Sequence, residues 1–349
     1  MKKHIAVMMI ILIAAAGILT GCRKSGVSDI QKQGQTGTST AAQGQDGNNN
    51  GKNGELEDNS KDGNFPLVIT DANGTEMTIK EKPQRIASIS LVSDEMLFSL
   101  VDTESIVAIT HLAKDNVISN VADKAGAIPT TLTQSDTEKT IALAPDLVIV
   151  PTWTDKAFIQ QLRDANITVY TMGTANDIEQ VKSIIREVSV VVGEVEKGME
   201  VIAWMDEKLK AVEDKVGSIK ESDKKRVLVC DAFWCTYAKG TSSDDIVRRA
   251  GLINVATEAG LEGWPQVSKE NIIMWNPDII FLPAWSYDNA YDPEEFRKSF
   301  LSDASLKDVS AIKNGRVYIL EDKHMTSTSQ YMVLGIEDAA KAAYPELFE

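Results

Sequence analysis

The chain has 349 residues, 43% apolar and 25% charged, the balance of a soluble globular protein with room for two domains of ordinary size. Its formal charge of −15 excludes a nucleic-acid partner, since neutralising phosphates takes a basic face.

The first residues read as a targeting segment. Lys2 and Lys3 form a positive start, and the apolar run from Ile5 to Leu19 is shorter than the roughly 20 residues that span a bilayer. It ends in Leu19-Thr20-Gly21-Cys22, which resembles a bacterial lipobox. That resemblance implies removal of residues 1–21 as a signal peptide and a thioether-linked lipid on Cys22; a plain secretory signal with an incidental cysteine is the alternative. In residues 22–64, Gln, Gly, Ser, Thr, Asn and charges dominate, a composition that buries too little apolar surface to offset its ordering entropy. A flexible tether of this length reaches roughly 35 Å, which suits anchoring on a Gram-positive surface.

Folding is expected to begin at Phe65. Residues 67–70 and 77–79 flank Asp71-Ala72-Asn73-Gly74 as a hairpin, with Asn-Gly accepting the positive φ of the turn. IASIS at 86–90 predicts a strand, and Ser93 predicts an N-cap for a helix from Asp94. SIVAIT at 105–110 predicts a strand running into His111, and 146–150 and 167–172 predict two more. Residues 178–219 contain no proline and carry apolar residues at helical spacing, interrupted at Gly193. The part after Gly193 predicts a rod of roughly 25 residues, nearly 40 Å long at about 1.5 Å per residue. A second series follows: a strand at 226–230, helices at 244–250 and 269–275, strands at 278–283 and 316–320, and a closing helix at 332–343. Strands alternating with helices imply parallel sheets covered on both faces. Cys230 falls in a buried strand, and a disulfide to Cys235 would bend that strand's end, so free thiols are expected. Neither cysteine has a zinc spacing.

One stretch occurs twice, 132 residues apart. Glu138–Trp153 reads EKTIALAPDLVIVPTW and Glu270–Trp285 reads ENIIMWNPDIIFLPAW, identical at Glu138/Glu270, Ile141/Ile273, Pro145/Pro277, Asp146/Asp278, Pro151/Pro283 and Trp153/Trp285. Each copy reads as an amphipathic helix, a Pro-Asp turn, an apolar strand and a Pro-x-Trp exit. The interval is far longer than a solenoid period. It points to two similar lobes, with the rod between them and binding in the gap.

The entry VITDANGTEMTIKEKPQRIASIS with SDEMLFSL behind it, the two Glu…Pro-Asp helices, GTSSDDIVRRAGLINVA, GWPQVSKENI and the closing YPELF resemble the solute-binding lipoproteins of ABC importers for ferric siderophores, cobalamin and haem. The resemblance covers residues 65–349. It implies an α/β fold of two Rossmann-like lobes with central, mainly parallel sheets (65–193 and 223–349), joined by a single long α-helix (194–222), with little hinge motion. It also implies that Glu138 and Glu270 dock into arginines of the permease, which works with ATPase subunits. Two carboxylates on separate lobes would make a two-point electrostatic clamp; the plainer reading is that each stabilises its own helix N-terminus. Because the strands after those helices run to the ligand mouth, both glutamates are expected at the far end of the lobes from the cleft.

In open α/β sheets ligands bind beyond the carboxyl ends of the strands. That rule selects Ser90, Ser93, His111 and Trp153 in the first lobe. In the second it selects Phe233, Trp234, Tyr237, Trp264, Trp285, Tyr287, His324 and Met325. Trp153 and Trp285 lead, because the repeat places them at matching strand ends; such rings suit a large, flat or greasy metal chelate. Trp275, in mid-helix, is expected to pack between elements. His111 and His324 are the only histidines after residue 22. They raise axial ligation of haem iron or contact with cobalamin, with Met325 as a soft donor, although a lone histidine is more often simply hydrogen-bonded. Few arginines sit at these strand ends, which favours a hydroxamate-type, haem or cobalamin cargo over a catecholate. No nucleophile elbow, P-loop or Gly-rich dinucleotide turn supports an enzyme. Two histidines are too few for a zinc or manganese receptor. A receptor for another solute or a free metal ion and a non-transport surface lipoprotein stay open. A monomer without a resident cofactor or metal site is expected, anchored outside the cytoplasm.

Overall fold

Aliphatic and β-branched runs build two four-stranded, all-parallel sheets in the computed structural model, which describes residues 64–286 and 290–349. The signal segment, Cys22, the tether up to residue 63 and Tyr287 lie outside the described residues. A hairpin comes first. β1 (Leu67–Thr70) pairs antiparallel with β2 (Glu76–Ile79), and Gly74 takes φ 78° in the turn. The first sheet has the order β4-β3-β5-β6, from β3 (Ile86–Ser88), β4 (Ile106–Ala108), β5 (Leu147–Pro151) and β6 (Thr168–Met172). The second has the order β10-β9-β7-β8, from β7 (Arg226–Val229), β8 (Ile253–Asn254), β9 (Ile279–Pro283) and β10 (Val317–Leu320). Counted within its own lobe, each sheet runs second, first, third, fourth. β5 and β9, the strands of the repeat, therefore hold the same third place.

The period of two in these strands decides where the core lies. In β5, Leu147 and Ile149 face one layer while Val148 and Val150 face the other; in β9, Ile279 and Phe281 oppose Ile280 and Leu282. The first member of each pairing joins one continuous core that runs through both lobes, and the second closes an outer core private to its lobe. The long helix Val195–Val216 sends Ile202, Met205, Leu209, Val212 and Val216 into the shared core at helical spacing. It follows the helix Ile178–Val191, so the 178–219 stretch is two helices divided at 192–194, with the rod the second of them. Gly193 makes that corner at φ 69°, where a Cβ would stand 2.7 Å from the Phe65 ring. The closing helix Met332–Ala343 packs on the long helix, and Tyr331 meets Trp204 edge-on with ring centres 6.1 Å apart. Two Rossmann-like lobes are thus joined by one long helix and share a core.

Two expectations change. The helix after β3 is Leu91–Leu100, capped by Ser90 rather than Ser93, because Ser90 is the last residue with extended backbone (φ −139°, ψ 144°). Its hydroxyl accepts from the Ser93 N–H. Two helices not expected from the sequence, Lys156–Asp164 and Pro293–Ser302, begin after the N-caps Asp155 and Asp292, the latter with proline at its first position. Cys230 and Cys235 are free thiols.

Candidate ligand-binding cleft

Parallel strands end together, so each sheet offers one row of strand exits. At the β3 exit the hydroxyls of Ser88 and Ser90 each lie 2.6 Å from that of Ser93, and all three serines are buried. Ser90 and Ser93 therefore tie the chain down beside the helix start and are not presented to a ligand. Beneath them Asp94 is fully buried and accepts from the Thr110 N–H (3.0 Å) and hydroxyl (2.5 Å), which fixes the exit of β4. Burial pushes its carboxyl pKa up to about 7, and its second oxygen has no partner.

His111 follows that exit, exposed, in a short turn that also carries Asp115. Facing this turn across the gap between the lobes are Trp285, Tyr291 and Asp292, and the space between is a cavity of about 530 Å³. Trp285 closes one side of it. Its indole N–H donates to Asp115 Oδ2 at 3.0 Å, joining the lobes, and its backbone N–H donates to Asp322 Oδ2 at 2.5 Å. The Tyr291 hydroxyl donates to the Trp285 carbonyl at 2.5 Å. A small pocket beside it is lined by Asp231, Tyr237, Asp322 and Met325 among others. There the Tyr237 hydroxyl donates to Asp231 Oδ2 at 3.3 Å, while Asp231 Oδ1 accepts from the Phe233 and Cys235 N–H groups, both at 2.9 Å. Burial pushes the Asp322 carboxyl up to about 6, and burial together with these aspartates pushes the Tyr291 phenol up to about 12.

The remaining predicted residues fall into three groups. Trp153 (63% exposed), Phe233 (72%) and Trp264 (63%) are unusually bare large rings at strand exits or their adjoining loops. Trp264 lies in a loop held to the β7 exit by the Thr236 N–H to Pro265 carbonyl and Ala238 N–H to Gly263 carbonyl bonds, both 2.9 Å. Trp234 and His324 turn away from the cavity. Trp234, at φ 59°, stacks on Phe300 with centres 5.2 Å apart and packs into the outer core of its lobe. His324 lies with Nδ1 2.6 Å from Asp338 Oδ2, largely covered against the closing helix, so its ring secures that helix. Met325 is buried and lines the smaller pocket. Trp275 is buried in its lobe's outer core.

Glu138 and Glu270 are each the second residue of their helix, Thr137–Ala142 and Lys269–Trp275, and both are exposed. The Ser268 hydroxyl and the Glu270 backbone N–H hold the Glu270 carboxyl below the usual range. The expectation that they lie at the far end from the cleft is overturned. Gln134 Oε1, just before the first of these helices, accepts from the Asp155 N–H at 3.0 Å, beside Trp153. Val267, just before the second, donates to the Trp234 carbonyl at 2.7 Å, beside the β7 exit. Each helix runs back against the strand it precedes, so its head returns to the cleft end. Both glutamates stand exposed in the first turn after these exit-side contacts, outside the cavity lining.

Sequence reasoning missed the polar groups that set the lobes against each other. Glu95, buried, accepts from the Asn120 N–H and side-chain amide (2.9 Å each) in its own lobe and from the Ser329 hydroxyl (2.5 Å) in the other. The Gln330 amide donates to the Glu95 carbonyl at 2.8 Å, and Asp245 Oδ2 accepts from the Ile178 N–H at 3.0 Å, again across lobes. The pairs that cross between the lobes lie 67 to 235 residues apart and leave no local pattern.

The family model described as periplasmic binding protein matches residues 86–324. The ABC transporter substrate-binding lipoprotein YvrC of Bacillus subtilis is 26% identical over 293 residues, 82% of this chain and 88% of its own. A cobalamin-binding protein of Halobacterium salinarum is 23% identical over 217 residues, 62% of this chain and 58% of its own. Among solved structures, the molybdate-bound MolA of Haemophilus influenzae superposes with a TM-score of 0.67 at 23% identity, covering 80% of this chain and 92% of that one. The chain belongs to the periplasmic binding protein family, a family of substrate-binding proteins.

Proposed function

We propose that this protein is the extracytoplasmic binding component of an ABC importer, that it captures a metal chelate between its lobes, and that it hands the cargo to the permease through Glu138 and Glu270. The observation that carries the reading is the inter-lobe cavity at the strand exits, walled by Trp285 and Tyr291 and large enough for a small-molecule cargo (roughly 300–1,000 Å³ is usual). Relatives named for cobalamin and molybdate support a metal-containing cargo, and a ferric siderophore is the leading class, with cobalamin and haem beside it. Lipidation at Cys22 would hold the protein at the outer membrane face beside the permease and its ATPase, as in the lipoprotein relative.

The test is a tryptophan-fluorescence titration of the full chain in detergent against ferric hydroxamates and catecholates, haem, cobalamin and bare metal ions. Saturable quenching by one chelate class is expected. A response to bare metal alone would overturn the cargo class, and flat titrations with every chelate would overturn the receptor reading.

A further inference from the structure

The charges around the cleft are one-sided. Asp115 and Asp292 line the cavity, and Asp322 and Asp231 line the pocket beside it, linked to the cavity wall through the Trp285 N–H. The groups that hold these carboxylates are neutral: the indole of Trp285, the hydroxyl of Tyr237 and backbone N–H groups, including that of Glu295 at Asp292. Among the described residues, none of the four has a lysine or arginine within ion-pairing distance. Among the described residues lining the two pockets there is no lysine or arginine either, and His111 at the rim is their single basic group. Elsewhere in the molecule buried carboxylates do receive cations, as Asp71 does from Arg163 and Asp245 from Arg249. Others, such as Asp94 and Glu95, are held by neutral donors as the cleft's are, but the cleft gathers four such carboxylates around one open space. Low-dielectric walls focus a field of one sign, so a polyanion entering here would lose hydration without gaining a counter-charge. Aromatic rings beside carboxylates offer the opposite: faces and oxygens for a cation or for N–H donors.

We infer that the cleft selects its cargo by charge, taking a chelate whose periphery is cationic or amide-bearing and rejecting polyanionic ones: tris-catecholates, propionate-bearing haem and free oxyanions such as molybdate. The inference rests on the chelate-receptor reading and narrows it. Asp115 and Asp322 are the selecting groups, one on each lobe, both engaged by Trp285. A cargo that draws on their oxygens would exchange neutral donors for charged or amide donors of its own, which strengthens the contact.

Matched probes separate charge from shape. Ferrioxamine B, a ferric trihydroxamate with a free ammonium group, would be titrated into the full chain in detergent beside its N-succinyl derivative, which has the same iron core and a carboxylate in place of the ammonium. Cobalamin would be paired with its side-chain carboxylic acids in the same way. The expected result is at least tenfold tighter binding of the ammonium or amide member in whichever pair binds. Asp115→Asn and Asp322→Asn, which keep the side-chain shape, should shrink that ratio to a few fold; unfolding curves like the wild type's would confirm that they fold. Equal affinities within a pair, a preference for the acid, or a ratio unmoved in both variants would overturn the charge filter while leaving the receptor reading standing. So would saturable binding of haem, a catecholate or molybdate alone. If no chelate of either pair or of these three classes binds, both fall together.

Discussion

Trp153 and Trp285 end the two copies of one motif, at the same strand place in sheets of the same order, yet the chain treats them differently. Trp285 is hydrogen-bonded to the opposite lobe through Asp115 and to its own lobe through Asp322. Trp153 is 63% exposed at its strand exit. Equivalent strands deliver equivalent positions, but the surroundings assign the work: the second lobe holds its ring as a fixed wall, while the first leaves its ring exposed at the strand exit. The lesson is that a repeat predicts placement better than it predicts role.

The largest expected effect tests where the copies remain alike. Glu138 and Glu270 keep the same helix position and exposure, so reversing both to lysine should abolish chelate uptake in cells. Either single reversal should leave partial uptake, because one arm of the clamp remains. Ligand affinity of the purified double variant should equal wild type; lost affinity would show the glutamates belong to the pocket. Next comes the pair that diverges. Trp285→Ala removes a ring packed in the cleft wall and should weaken chelate binding by about 30-fold, on the order of 2 kcal/mol. Trp153→Ala should cost only a few fold, since an exposed ring loses less contact on truncation. Equal losses in a calorimetric titration would restore the symmetry that the structure breaks.

Much of this arrangement was legible in the chain. Strands β5 and β9 follow from their apolar runs, the helix Lys269–Trp275 from the amphipathic run of its repeat copy, and the two-lobe plan from the repeat and its resemblance. What escaped was set by tertiary contacts. The sequence could not show that the Trp234 ring would stack on Phe300, or that His324 would pair with Asp338 on the closing helix, because both are equally good cleft residues by position. The serine run at 88–93 reads as a polar mouth, whereas its hydroxyls satisfy one another in the interior. Helix direction, too, is set by packing and not by local sequence. A helix that packs back along the strand it precedes starts toward that strand's carboxyl end, which brings the heads carrying Glu138 and Glu270 to the cleft end of each lobe.

The contacts between the lobes are the next place to press. Asp245 reaches over to accept the Ile178 N–H at the start of the helix that leads to the bridge. Asp245→Ala strands that buried donor and should cost on the order of 1–3 kcal/mol in urea unfolding. A surface aspartate such as Asp308 should cost almost nothing. An unchanged midpoint for Asp245→Ala would mean that the shared core alone sets the lobes.

The smallest effect concerns the buried acids at the same seam. Asp94 has its carboxyl raised from 3.8 to about 7 by burial, and Glu95 beside it is raised by the same cause. Facing Asp94 are the Thr110 and Ser88 hydroxyls and the Glu95 charge, and among the described residues no cation pairs with it. The native state therefore holds a proton that the unfolded chain has released across the range from about 4 to about 7. Stability contributed by this group must rise as pH falls through that window and be lowest above it. Asp322, raised to about 6, acts in the same direction. Asp94→Asn keeps an acceptor for Thr110 and removes the buried charge, so it should raise stability at pH 8 by about 1–2 kcal/mol and flatten the slope between pH 5 and 8. Thermal unfolding across that range reads both. A variant as steep as wild type would place the titrating proton on Glu95 or Asp322 instead, and Glu95→Gln would then be the substitution that levels the curve.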